Sequence, residues 1–397
     1  MSEPTPPPPP PPSAMDSVAG VGSSALRSLI MPSLALVTAL VIGALIIAFS
    51  DVDNLPLLFD DPGAALAAMG SEIVAAYRAL WIGAAGSVYA VSETLFAATP
   101  LILASLGVAL GFRAGLFNIG AQGQMLVGAM FAVWAGIYLD LPTPIHVLLA
   151  IAAGIVGGMV WGGIAGLLKA RTGAHEVITT IMFNFIALYL VQWLLSIPLF
   201  QEAGRNNPVS TAIEPTARLG PIFGSTYRVT IGFLIAIAAV FFVHWLLYRS
   251  SWGFEFRAIG LNPQAGAYAG MGVATSVTLA MAIAGGLAGI AGANQVMGLA
   301  PYKATTALAG SVGFDAITVA LLGRSHPFGV LWAALLFGAL KAGGRQMQGA
   351  AQIPLDLVVV LQALIVIFVA APALVRAMYR MKGPSEKPAQ MTKGWGS

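Results

Sequence analysis

The residues able to do chemistry in this sequence are mostly uncharged amides. Between Gly111 and Met130 the chain reads GFRAGLFNIGAQGQMLVGAM, which sets Asn118, Gln122 and Gln124 among glycines. Asn184 and Gln192 follow in the apolar run after Glu176, and Asn294 with Gln295 close the run GGLAGIAGANQ (285–295). An amide both donates and accepts, so this set suits a neutral solute rich in hydroxyl, carbonyl and ring-nitrogen groups. The same amides can instead hold helices together, each such contact being worth about 1 kcal/mol in a membrane. Phe117 and Phe183 offer aromatic faces for stacking, although an aromatic in an apolar run more commonly packs against the core or lipid.

Other chemistries lack their residues. The chain has no cysteine, hence no disulfide, thiol nucleophile or thiolate metal site. Its four histidines, His146, His175, His244 and His326, form no His-x-x-x-His pair. No Ser-His-Asp constellation and no phosphate-cradling Gly-x-x-x-x-Gly-Lys-Ser/Thr loop occurs. Catalytic residues and metal ligands are therefore not expected. Ionisable residues inside membrane spans usually mark ion pathways or proton relays. Here they are sparse: Asp315 and Asp356 fall near the ends of apolar runs and read as solvated or capping, and His244 reads as interfacial. That leaves a pore or transporter with an amide-lined path.

The elements that must position these residues are membrane helices. The chain is 58% hydrophobic and 9% charged, with mean hydropathy +0.84. Soluble domains carry about a quarter charged residues, so an integral membrane protein is the only class that fits. A span needs roughly 20 apolar residues. Ten segments qualify, at 29–49, 94–112, 117–139, 145–168, 177–197, 230–248, 274–298, 308–323, 328–347 and 355–371. The eighth is short and interrupted by Gly310, Gly313 and Asp315. The expected fold class is an all-α polytopic membrane protein of about ten transmembrane helices, its transmembrane domain running from 29 to 371. Residues 1–28, with seven prolines at 6–12, read as a solvated tail and not as a signal peptide.

Loop charge sets the orientation. The 51–93 loop carries Asp51, Asp53, Asp60, Asp61, Glu72 and Glu93 against Arg78, which places it outside and the N-terminus in the cytoplasm. Ten crossings return the basic tail 372–397 to the same side. Arg113, Lys169, Arg171, Arg249, Arg257 and Arg324 fall inside. Arg205, Arg218 and Arg228, and Lys341 with Arg345, are exceptions. Residues 62–82 read as a helix along the outer surface, with Leu66, Met69, Ile73 and Ala76 on one face. The pI near 9.2 reflects this topology and carries no nucleic-acid signal. Most of the 46 glycines read as close helix packing, as in GIVGGMVWGGIAG (154–166). The run at 111–124 differs, because it joins two spans. Glycine there permits a broken helix, which membranes tolerate where backbone is buried or lines a cavity.

The longest polar segment within the bundle on the inner side is 249–273. Phe254, Phe256, Ile259, Leu261 and Tyr268 make it amphipathic beside the polar Glu255, Arg257 and Asn262. Asn262 before Pro263 predicts an N-cap with proline at N1, opening a short helix to about Gly270. From pattern alone it is a connector or a place where a motor subunit pushes.

Five ordered stretches then carry a resemblance: GLFNIGAQGQMLVGA, EVITTIMFNFIALYL, FRAIGLNPQAGAYAGM, AGGLAGIAGA and FDAITVALLGRSHPFGVLWAALLFGAL. Over about 94–371 the chain resembles permease subunits of bacterial ABC importers, nearest the nucleoside branch, with ribose-type sugar and branched-chain amino-acid permeases as more distant relatives. NIGAQGQ and ALLGRSHPFG carry the branch assignment. The resemblance implies paired inverted repeats relating spans two to five with spans seven to ten. It implies a second permease, commonly a paralogue, cytoplasmic ATPases that use ATP and magnesium, and an extracytoplasmic solute-binding lipoprotein. No cofactor is bound by this chain on that reading, and its place is the bacterial cytoplasmic membrane. RAIGLNPQAGAYAG then corresponds to the coupling helix, with Glu255, Arg257, Gly260, Asn262 and Ala265 as docking candidates. The Glu-Ala-Ala-x-x-x-Gly signature of another importer class is missing. Solute would enter from the loops 51–93 and 198–229 and pass Phe117, Asn118, Gln122, Gln124, Phe183, Asn184, Asn294 and Gln295.

Overall fold

The computed structural model describes residues 33–50 and 54–380, and the proline-rich tail and the end of the basic tail lie outside them. The regular structure among the described residues is helical, joined by turns and loops that include three isolated bridges, Gln201 with Ser210, Val209 with Thr305 and Pro221 with Thr230. In chain order the helices are α1 (Ser33–Ala48), α2 (Asn54–Asp60), α3 (Pro62–Ala85), α4 (Val88–Arg113), α5 (Ala121–Tyr138), α6 (Thr143–Thr172), α7 (Glu176–Leu194), α8 (Ile231–Arg249), α9 (Ser251–Leu261), α10 (Pro263–Tyr268), α11 (Val273–Gly298), α12 (Val312–Leu322), α13 (Pro327–Ala351), α14 (Leu355–Ala370) and α15 (Pro372–Met378). Seven of them, α3, α4, α6, α7, α8, α11 and α13, are long and apolar enough to cross a membrane; α1, α12 and α14 are shorter apolar helices.

The chain divides into two compact units. The smaller contains the described parts of both chain ends, where the Thr38 hydroxyl lies 3.0 Å from the Tyr379 hydroxyl. The larger, Gly70–Val358, holds all the candidate site residues. Its centre is α4. Residues such as Leu101, Leu103, Leu106 and Leu110 are fully buried on every side of that helix, as expected of a helix apolar all round.

Packing in the larger unit repeats with its halves exchanged. Helix α11 lies on α6 and α5, and α4 lies on α13 and α12. Each half has a long helix (α4, α11), a non-helical break (114–120, 299–311) and a shorter helix (α5, α12). The end of α4 and the start of α11 share one end of the bundle, because Gly115 meets Gly260 and the Ser276 hydroxyl donates to Glu255. Helices α4 and α11 therefore run in opposite senses.

Small residues make this packing possible. A Cβ on Gly158 would stand 2.1 Å from the Gly285 carbonyl oxygen, and one on Gly289 would stand 2.2 Å from that of Gly154. The backbones of α6 and α11 are thus in direct contact, the close approach that small residues three and four apart allow.

Several boundaries differ from the sequence reading. Residues 117–120 of the expected third span are not helical, and α5 begins at Ala121. The eighth span contracts to the 11 residues of α12. The outer helix forms, but it presents Ala65, Met69, Ala76 and Ala79 to its neighbours while Leu66 is 65% exposed. Small residues won the buried face because they let helices approach. α3 also meets the length and hydropathy of a span. Helix α9 was not foreseen, since its apolar residues were read as part of a connector.

Candidate functional site

The break at 114–120 is built from the end of α4 outward. Gly115 adopts a left-handed conformation (φ 71°). The Leu116 N–H then donates to Gly111 C=O at 2.9 Å, and Gly115 N–H to Phe112 C=O at 3.1 Å. This six-to-one, five-to-two pair is the Schellman ending that glycine favours after a helix. A side chain on Gly115 would also strike the Gly260 backbone at 2.8 Å, so the glycine both ends α4 and admits α9.

The amides then secure the exposed backbone of the break. Asn118 and Gln124 are each 1% exposed and bond to one another, Nδ2 to Oε1 at 3.2 Å and Nε2 to Oδ1 at 3.3 Å. Asn118 Oδ1 also accepts from Gly120 N–H at 2.8 Å. From α7, Asn184 Oδ1 accepts from Gly123 N–H at 2.8 Å and its Nδ2 donates to Ile119 C=O at 3.0 Å. Thr180 Oγ1 accepts from Ile119 N–H at 3.3 Å. These contacts satisfy backbone groups that no helix ladder reaches, and a membrane demands that satisfaction.

Gln122 behaves differently. It crosses to the second break, donating from Nε2 to Gly310 C=O at 2.7 Å and accepting at Oε1 from Gly313 N–H at 2.9 Å. The two breaks are therefore joined directly, with the N-termini of α5 and α12 facing one another. Gln122 remains partly exposed, and Phe117 is 40% exposed. Phe117 stacks near Phe112, with ring centroids 5.1 Å apart, and Phe183 meets the edge of Trp161 at 5.2 Å. Asn294 is buried with no partner for Oδ1, Gln295 is half-buried, and Gln192 is exposed on α7. The structure thus gathers Asn118, Gln122, Gln124 and Asn184 at one place. Asn294 and Gln295 lie further along α11. A groove of about 570 Å³ between α5, α6 and α7 is lined by Val127, Met130, Phe131 and Trp134 and offers a polar solute nothing.

Charged residues form three groups of contacts that sequence reasoning missed, around Asp315, Glu93 and Arg113. Asp315, read as solvated or capping, bonds Lys341 Nζ at 2.6 Å. Glu93 receives Arg228 at 2.9 Å and Arg345 at 3.2 Å, with the Arg228 guanidinium 4.4 Å over the Phe96 ring. The signal was present, because Lys341, Arg345 and Arg228 were exceptions to the loop-charge rule. Arg113 donates from Nε to Ser325 C=O at 2.9 Å and from Nη2 to Arg324 C=O at 3.2 Å. It thereby holds two non-glycine residues with positive φ, 53° at Arg324 and 51° at Ser325, in the turn between α12 and α13. Beside that turn His326 lies 5.8 Å from His244, ring to ring, and Tyr248 and Phe328 complete the cluster. Burial lowers the His326 pKa, and the nearby His244 and Arg113 charges lower it further.

The segment after α8 forms two helices. Asn262 caps α10 as its sequence predicts, Oδ1 accepting from Gln264 N–H at 3.0 Å and Ala265 N–H at 3.1 Å. Glu255 is engaged by Ser276, and Arg257 lies over Tyr248 with its charge 5.1 Å from the ring centre. Gly260 meets the end of α4. Ala265 is exposed, and Leu261 and Tyr268 are 89% and 94% exposed. The α10 ridge is therefore outward-facing while three of its neighbours brace it from below. A cleft of about 410 Å³ lies beside it, between Leu116, Lys169, Ile259 and Pro263.

Broken helices joined across a polytopic bundle, with a rigid exposed helix at one end, define a membrane transport component. Residues 90–370 match the family described as branched-chain amino acid transport system / permease component, and the chain belongs to that family. It is 37% identical over 351 residues to the guanosine ABC transporter permease protein NupP of Bacillus subtilis, covering 88% of this chain and 95% of that one. It is 32% identical over 378 residues to the nucleoside ABC transporter permease protein NupB of Lactococcus lactis, covering 93% and 98%. The glucose ABC transporter permease protein TsgB13 of Haloferax volcanii is 34% identical over 77% of this chain and 82% of its own length. No solved structure matches the chain at a significant level.

Proposed function

We propose that the chain is one membrane subunit of an ATP-driven importer of nucleosides, and that it performs no catalysis itself. The observation that carries this reading is similarity over nearly the whole length to permeases named for guanosine and nucleosides. The second subunit is a paralogue. The chain is 37% identical to NupP but 27% to its companion NupQ, and 32% to NupB but 26% to NupC, so it takes the NupP and NupB place in such a pair. Cytoplasmic ATPases bind ATP and magnesium and press on the α10 ridge, through Asn262 and Ala265 at its surface and Glu255, Arg257 and Gly260 beneath. An extracytoplasmic lipoprotein delivers solute at the opposite end, over 198–229. Both chain ends are cytoplasmic, in a bacterial inner membrane. Asn118, Gln124 and Asn184 fix the wall of the path, and Gln122, Phe117 and Phe183 present its surface, with Asn294 and Gln295 deeper along α11.

Glucose import is the second reading, supported by TsgB13. Reconstitution with the paralogue, ATPase and binding protein separates them. ATP-dependent uptake of labelled guanosine or uridine in preference to glucose is expected. Uptake of glucose alone overturns the nucleoside assignment, and uptake without the ATPase overturns the importer reading.

A further inference from the structure

Asp315 and Lys341 are the ion pair that membrane burial makes hardest to place. Asp315 is seven residues before the end of α12, about 10 Å along it, and Lys341 is 14 residues into α13, about 21 Å along it. Both helices meet at the 323–326 turn, and with that turn at the inner face, where loop charge places Arg324, the pair falls within a hydrocarbon layer of about 30 Å. Its side chains are nevertheless 23% and 28% exposed. A charge open to lipid is costly, so intramembrane charges face the bundle interior or water. The exposed side of this pair therefore faces water or the second subunit, and the thiol reactivity of Ser311→Cys separates the two.

The neighbours extend the same face. Ser311, itself exposed, donates from Oγ to Asp315 Oδ2 at 2.8 Å, and the exposed Gly310 holds Gln122. On α13, Arg345 and Gln348 follow Lys341 at four and seven residues and are exposed in one stripe. Trp332, nine residues before Lys341 and on the opposite side of the helix, is 70% exposed. Helix α13 therefore presents a polar face and an apolar one.

We propose that Asp315, Lys341, Ser311 and Gln122 form a solute-contact site in the translocation path, specific for vicinal hydroxyl groups. This rests on the permease reading. A carboxylate accepts from two adjacent hydroxyls, and the lysine and amide donate to their oxygens. Nucleosides and simple sugars share that hydroxyl pair, so one site serves either.

The absence of cysteine makes the test direct. In the assembled complex, Ser311→Cys is expected to react with a water-soluble methanethiosulfonate, and uptake should fall as it does. Trp332→Cys should stay unmodified. In Asp315→Asn, uptake of guanosine should drop about tenfold, while that of 2′,3′-dideoxyguanosine should change far less. Comparing the two solutes in variant and parent cancels the binding protein's own preference. The exchanged pair Asp315→Lys with Lys341→Asp restores a merely structural bridge, so recovery of the guanosine preference in that variant overturns the site. An unreactive Ser311→Cys in a complex with intact uptake overturns it as well, and leaves the permease reading standing. Loss of ATP-dependent nucleoside uptake by the unsubstituted complex is the separate failure of that reading.

Discussion

Asn184→Ala tests whether the amides hold the break together. The side chain is 6% exposed and makes two bonds to backbone, accepting from Gly123 N–H and donating to Ile119 C=O. Neither backbone group is inside a helix ladder at that point, so truncation leaves a buried donor and a partly buried acceptor without partners. A buried orphan costs about 1–3 kcal/mol and the partly buried one about 1 kcal/mol, which puts the loss at about 2–4 kcal/mol. Hydrogen bonds between membrane helices average only about 0.6 kcal/mol, because the separated helices find other partners. That figure applies to side chains that can turn elsewhere. Backbone groups fixed in a break cannot, so the larger figure governs here.

The assay is reversible unfolding of the purified subunit in mixed micelles, with protease cleavage near 114–120 as a local readout. A loss of at least about 2 kcal/mol, with cleavage increased at the break, is expected. Asn184→Asp keeps the acceptor for Gly123 but turns a second oxygen toward the Ile119 carbonyl, so it should not rescue. A loss below about 0.6 kcal/mol, with cleavage unchanged, would refute the reasoning. The break would then be held by its glycine turn and Asn118, with Asn184 free for solute.

Three further outcomes follow from the geometry. Gly158→Ala places a methyl 2.1 Å from the Gly285 carbonyl and should cost about 1–3 kcal/mol or more, whereas Gly163→Ala, with its nearest neighbour at 3.6 Å, should be neutral or stabilising; thermal half-life of the two variants compares them directly. Asn262→Ala removes the α10 cap and should weaken ATPase binding while membrane insertion is unchanged, at about 1 kcal/mol of local helix stability, and Asn262→Asp, which keeps the acceptor, should restore coupling. His326 has a lowered pKa, so the unfolded chain binds its proton near pH 6.5 and the folded chain only at lower pH. Stability should therefore be full above that value and fall as pH drops below it, and His326→Asn should flatten the fall in a thermal-stability series from pH 7.5 to 5.

Residues with a local cause were legible in the sequence. Asn262 followed by Pro263 has the same capping role in the chain as in the string, because a cap needs only its own next three residues. GIVGGMVWGGIAG and GGLAGIAGANQ announced their close approach through spacing alone, although not that they approach each other. Helix type and most span boundaries followed from apolar runs. What stayed hidden depended on distant partners. Gln122 reaches Gly310 and Gly313 across nearly two hundred residues, and nothing local distinguishes it from Gln124, which turns inward to Asn118. Asp315 looked like a helix-end carboxylate because Lys341 lies in the next helix.

The repeat explains why the amides and the charges occupy different places. Both breaks free backbone groups, and each half supplies a way to satisfy them. In the first half the amides are supplied locally and from α7, and Asn118, Gln124 and Asn184 bond one another and the backbone while buried. In the second half the 299–311 break is held at 302–305 by the 202–218 loop, through Ser210, Ile213 and Glu202, and at Gly310 by Gln122, and the chain adds Ser311, Asp315 and Lys341 beside it, each still partly open. A polar group that is bonded and buried builds a wall, while one that is paired and exposed inside a membrane needs water or a partner beside it. On the proposed permease reading, the amide-rich stretch at 117–124 is the scaffold of the path, and the charged stretch that follows the second break is where its surface opens.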